Sequence, residues 1–199
     1  MSSLERDLSV LEADLVARPM RISAYHDLPF AIFRYEPREE FRLRARLRLF
    51  AIGLEENHGK RVRFVSLARL VWRIAEACQG LDYLYRVEQF RGFDAAQEHL
   101  NHLMRSPQFR PIADEVLAEI DGLDPERDLV FLVRAGGFAP RIYRASVLLN
   151  ELHQRTMVPM VLFYPGSAQS AADLSFYNLP GDAGLGGYNY RVKVYGVDA

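Results

Sequence analysis

The sequence predicts an α/β fold: an open, mostly parallel sheet of about four to six strands flanked by helices, with a helical insert in the middle. Three observations predict it. Two continuous apolar runs, at 129–133 and 158–164, bracket a helical stretch of about a dozen residues, and a crossover of that length joins parallel strands. Upstream, two short apolar runs are each followed by helical periodicity. Between these halves, residues 81–121 carry helical spacing and no strand signal. No internal repeat or low-complexity tract is present, and at 199 residues the chain reads as one α/β domain, 1–199.

Each element follows from a local reason. Leu4, Leu8, Leu11 and Leu15 recur at helical spacing over 2–18, and Pro19 ends that helix. Phe30, Ala31, Ile32 and Phe33 form a short buried strand. Pro37 suits the first turn of the next helix, with Glu39 and Glu40 near its positive end. That helix should run to about Asn57, with Leu43, Leu47, Phe50 and Leu54 as its buried stripe and Gly59 past its end. Residues 62–67 read as a strand, then Leu70, Val71, Ile74, Ala75 and Cys78 mark a helix that Gly80 stops.

The insert carries Leu84, Val87 and Phe90 in one element and Ile112, Val116, Leu117 and Ile120 in another, before a turn at 121–125. The run Leu129, Val130, Phe131, Leu132 and Val133 is the clearest strand. A turn at 134–138 leads to a helix expected over about 140–154. The strand at 158–164 is expected to end at Pro165, Gly166 and Ser167. A long glycine-rich loop, 168–187, precedes a half-exposed last strand at 190–195.

Composition excludes several classes of function. No run of about 18 apolar residues exists, which excludes a helical membrane span. The charged start, with Glu5, Arg6 and Asp7, has no hydrophobic signal core, so a cytoplasmic protein is expected. The single cysteine, Cys78, excludes an intramolecular disulfide framework and a multi-cysteine zinc site. A net charge of -1 argues against whole-surface binding to nucleic acid. Charge is nevertheless uneven: residues 34–63 hold nine basic and five acidic side chains, whereas 94–128 hold three basic and nine acidic. The basic helix and the acidic insert could pair within one molecule.

In an open α/β sheet, functional groups gather where loops leave the carboxyl ends of strands. Four such exits are legible: Arg34, Tyr35 and Glu36; Ser66; Arg134, Gly136 and Gly137; and Tyr164, Gly166 and Ser167. The last two sets are the candidates for an anion or ligand, through backbone N–H groups at a strand-to-helix turn. No phosphate-loop, dinucleotide or nucleophile-elbow pattern accompanies them. His99 and His102 lie three apart on a helix without a third ligand, so no metal is expected. Arg38, Arg42 and Arg46 crowd one helix beside Arg44 and Arg48, and they could grip an acidic partner. Tyr188, Tyr190 and Arg191 form a second candidate contact surface, because tyrosine and arginine are favoured at interfaces. No paired carboxylates mark an active site, and neither an enzyme nor a cofactor is expected.

The last strand–helix–strand unit also carries a resemblance. Residues 129–137, then Leu148, Leu149, Asn150, Glu151 and Leu152, then 158–167 with the Tyr164-Pro165-Gly166-Ser167 ending, and Tyr188-Asn189-Tyr190-Arg191-Val192, resemble the BrxB family of bacteriophage-exclusion (BREX) systems. Arg34-Tyr35-Glu36-Pro37 with Glu39, Glu40, Leu43 and Arg44 fits the same family upstream. The resemblance implies a cytoplasmic defence protein working in a multi-protein assembly. Such families are encoded beside a large ATPase, an adenine-specific DNA methyltransferase and PglZ, an alkaline-phosphatase-like protein. It further implies a non-enzymatic adaptor with a PglZ-like protein as direct partner. No catalytic residues come with the family. The alternative expectation is a nucleotide- or nucleic-acid-binding module using the strand-end loops.

Overall fold

The computed structural model describes residues 3–22, 29–140, 142–170, 173–176 and 192–196. Among them are seven α-helices and six strands. In chain order they are α1 (Ser3–Leu15), β1 (Phe30–Tyr35), α2 (Glu40–His58), β2 (Arg61–Ser66), α3 (Leu67–Cys78), α4 (Leu81–Arg91), α5 (Phe93–Arg105), α6 (Ile112–Glu119), β3 (Asp128–Val133), α7 (Ala145–Leu152), β4 (Met160–Ser170), β5 (Asp173–Phe176) and β6 (Lys193–Tyr195). Short 3-10 turns precede α2 (Pro37–Glu39) and α7 (Ala135–Phe138).

The sheet runs β2-β3-β4-β1-β6, and all five strands are parallel. The expected α/β architecture with its helical insert is therefore present. β1 lies inside the sheet, pairing Phe30 to Tyr35 with Met160 to Pro165 of β4, and Ala31 to Phe33 with Lys193 to Tyr195 of β6. Successive strand residues point to opposite faces. Phe30, Ile32, Val130, Leu132, Met160, Leu162 and Tyr164 thus enter one core cluster, while Ala31, Phe33, Leu129, Phe131, Val161 and Phe163 enter the other.

The direction of travel decides which face each helix covers. From β1 the chain crosses to the far edge at β2, then steps back through β3 to β4. Parallel crossovers are right-handed, so reversing direction moves the crossing helix to the opposite face. α1 and α2 pack on one face through Leu4, Leu8, Leu11, Leu15, Leu43, Leu47 and Leu54. α3, the insert and α7 pack on the other through Leu70, Ile74, Leu100, Leu103, Val116, Leu148 and Leu149.

Two expected boundaries are corrected. The helix expected from Pro140 begins only at Ala145. Before it, Phe138 and Tyr143 both turn into the core, with ring centroids 5.2 Å apart, and that connection cannot also follow a helical path. The strand expected to end at Pro165, Gly166 and Ser167 instead runs to Ser170, and β5 pairs with its extension antiparallel from Gly166. Pro165 is tolerated because β3 makes its last pairing at Leu162, so the missing N–H falls where that neighbour has already left. The loop expected over 168–187 therefore includes strand at both Ala168 and Leu174.

Candidate functional site

Because all five central strands are parallel, the four strand exits lie along one edge of the sheet. The topological switch lies between β4 and β1. β1 leads to α2 on one face, whereas β3, on the far side of β4, leads to α7 on the other. β4 does not turn away there, because its extension to Ser170 projects past the end of β1 at Tyr35.

The side chains at this edge are mostly turned inward. Arg34 donates from Nη1 to the Gly196 carbonyl at 2.9 Å and from Nη2 to Glu36 at 2.6 Å. It thereby ties β1 to the residue after β6. Gly196 has φ +75°, and a Cβ there would stand 2.2 Å from the Arg34 carbonyl oxygen, so only glycine fits. Ser66 caps α3, its hydroxyl accepting from the Arg69 N–H at 3.3 Å. Gly137 is a packing glycine: a Cβ there would lie 2.5 Å from the Ala68 Cα. Tyr164 and Gly166 are buried, and Tyr164 belongs to the core on the insert side. Arg134 is exposed, sits in the left-handed region at φ 60°, and forms no ion pair among the described residues. Gly136 accepts from the Ala139 N–H at 3.0 Å. Ser167 lies on the β4 extension.

The arginines of α2 divide. Arg42 reaches Glu5 at 3.9 Å and Glu39 at 3.6 Å, Arg46 also pairs with Glu5, and Arg44 pairs with Glu40 at 2.7 Å. Arg48 is exposed and makes no ion pair among the described residues, and the same holds for Arg38, which lies not on the helix as expected but in the 3-10 turn that Pro37 opens before it. The acidic insert is balanced elsewhere. Glu115 pairs with Arg73 at 2.8 Å and Arg110 at 2.7 Å, Glu119 with Arg73 at 2.8 Å, and Asp114 with Arg155 at 2.7 Å. The basic helix and acidic insert occupy opposite faces of the sheet, so the expected pairing between them does not occur among the described residues. Tyr188, Tyr190 and Arg191 lie outside the described residues.

His99 packs its ring 5.2 Å from that of Tyr83, and His102 lies 5.6 Å from Phe109. Burial, then the neighbouring His102 and Arg91, hold His99 below the ordinary imidazole range. No three His, Cys, Asp or Glu side chains among the described residues are grouped to hold a metal ion.

Two surfaces went unnoticed in the sequence. α4 buries only Val87, yet leaves Tyr85 61 % and Phe90 85 % exposed, with Phe93 exposed just after it; Trp72 on α3, which the sequence leaves open to partial burial or a contact surface, is exposed as well. α2 exposes Phe41, Leu49 and Ile52 on its outer side. The available signal was a second apolar stripe at Phe41, Ala45 and Ile52, offset from the inward leucines.

These features define an α/β protein in which Arg34, Ser66, Gly137 and Gly196 at the strand ends hold the fold together, while apolar side chains stand exposed on its helices. Residues 63–194, more than half of the chain, match the family described as BREX protein BrxB, and the chain belongs to that family. It is similar to BREX protein BrxB of Bacillus cereus (strain H3081.97), with 28% identity over 143 residues, 71% of this chain and 72% of the relative. No solved structure matches. No helix among the described residues is long and apolar enough to cross a membrane.

Proposed function

We propose that this chain is a non-enzymatic adaptor of a BREX phage-defence assembly and that its direct partner is the PglZ-like component. Membership of the BrxB family supports a place in that system. The observation that carries the adaptor reading is the number of aromatic side chains left exposed on the helical insert and the helix before it. Tyr85, Phe90 and Phe93, with Trp72 on α3, stay in water on elements whose other sides are already packed. Exposed aromatics of this number mark protein contact surfaces, and their burial is the largest gain a partner can offer.

Co-expression with the neighbouring PglZ-like protein, followed by size-exclusion chromatography, tests it. Co-elution at a fixed stoichiometry is expected. Tyr85→Asp with Phe90→Asp should abolish it while the melting temperature stays unchanged, since both side chains lie outside the core. Separate elution of two folded wild-type proteins would end the direct-partner reading. Reversing Arg42 and Arg46 is a weaker probe, because those changes also release Glu5 of α1.

A further inference from the structure

α2 is apolar on two sides. Its inward side sends Leu43, Leu47 and Leu54 into the core and lays Phe50 on Phe131, ring centroids 6.0 Å apart. Its outward side exposes Phe41 by 81 %, Leu49 by 61 % and Ile52 by 50 %. At 100° per residue, positions 41, 45, 48 and 52 fall within about 60° of one another, so Phe41, Ala45 and Ile52 share one line that the stem of Arg48 crosses, with Leu49 at its margin about 80° from Phe41. Single exposed apolar residues are ordinary, but a stripe over three turns is not.

The order of residues along this stripe is self-complementary. Arg38, Phe41, Ala45, Arg48, Ile52 and Glu55 follow a 3-4-3-4-3 spacing, the same read in either direction. If α2 is laid antiparallel on itself about a two-fold axis between Arg46 and Leu47, Phe41 meets Ile52, Ala45 meets the aliphatic stem of Arg48, and Arg38 meets Glu55. Phe41 and Ile52 supply the apolar layers, Ala45 leaves room for the Arg48 stem, and the outer layers join opposite charges.

The charges select the same arrangement. Arg42, Arg44 and Arg46 are neutralised within the chain by Glu5, Glu39 and Glu40. What is left without an ion pair among the described residues is Arg38, in the turn just before α2, Arg48 at the middle of the helix, and Glu55 and Glu56 toward its far end. Antiparallel pairing sets positive against negative at both ends and opposes the helix dipoles favourably. A uniformly acidic partner would meet Glu55 and Glu56 unfavourably.

We infer that the outer face of α2 is a two-fold, antiparallel interface between two copies of this chain. The inference is independent of the partner assigned to the insert. A contact built on one 19-residue helix, about 28 Å long, falls below the roughly 800 Å² per copy of standard stable complexes. The dimer is therefore weak, with a dissociation constant on the order of micromolar.

Sedimentation velocity over roughly 1–100 µM brackets that value. The wild-type chain should pass from monomer to dimer across the range. Phe41→Asp should weaken association at least about tenfold, by placing a charge in the apolar seam. Arg38→Glu and Glu55→Arg should each weaken it, because each creates two like-charge contacts about the axis. An equimolar mixture of these two variants should dimerise again, because both contacts then join opposite charges. That restoration is specific to the antiparallel register. Melting curves establish that each variant is folded, since all three sites are exposed. A monomer at every concentration, a dimer indifferent to Phe41→Asp, or a mixture that stays monomeric would each overturn the inference. So would a monomeric wild type whose Phe41→Asp variant loses co-elution with the PglZ-like protein, because the stripe would then belong to that protein.

Discussion

Asp14 joins α1 to the segment after it and to β6. Its carboxylate is nearly buried and accepts from Arg21 at 3.0 Å, from Tyr195 at 2.8 Å and from Lys193. Burial alone would raise its pKa, but the hydrogen bonds from Lys193 and Tyr195 and the charges of Lys193 and Arg21 outweigh it, and the net direction is downward. A carboxyl lowered on folding stabilises the fold fully above its unfolded value of about 3.9, and that contribution is lost as pH falls through the folded value. Asp14→Asn should therefore cost about 2 kcal/mol at neutral pH. Denaturant titrations at pH 7 and pH 3 should show the variant and wild type converging at the acid end. Equal gaps at both pH values would refute this linkage. Asp128 shows the same design at the other edge, where Arg61 grips it with two bonds of 2.6 and 2.8 Å and lowers its pKa. Neither pairing was legible in the sequence, because each joins residues far apart in the chain. Ser66 and Gly137 were legible as positions at strand exits, but their uses, a helix cap and a close helix contact, depend on neighbours that only folding supplies.

At the scale of elements, the sequence was most readable where one physical signal acted alone. The continuous apolar runs became β1, β3 and the first half of β4, since strands covered on both faces need no polar side. Helical spacing over 81–121 became α4, α5 and α6. Misreading arose where two signals competed. Pro165 and Gly166 resemble a turn, yet β4 continues through them because β5 offers a new partner. On α2, the density of arginine drew attention from the apolar residues spaced among them. The inward side of that helix is fixed by Phe131, whose ring also lies 5.6 Å from Phe64 and 5.1 Å from Phe163. Phe131→Ala should cost about 4 kcal/mol by opening a cavity where α2, β2 and β4 converge. Thermal unfolding measures this directly, and a loss under about 1 kcal/mol would mean that α2 collapses into the space.

For the molecule as a whole, the strand order makes β1 the keystone, because it joins the strand-helix-strand half to the short edge strand β6. Removing residues 192–199 should expose the open side of β1 and strip Asp14 of two of its donors. Amide exchange in α1 should then rise well above that in α3, which packs on the opposite face. Equal protection of both helices in the shortened chain would show that α1 docks without β6. The contact between Asp14 and Tyr195 spans 181 positions, so the first helix and the last strand complete each other. During synthesis, α1 leaves the ribosome well before the β6 residues that complete its polar contacts. Throughout that interval the Asp14 carboxylate lacks two of its three side-chain donors, so a chain stalled before β6 would hold its first helix by the leucine contacts and Arg21 alone.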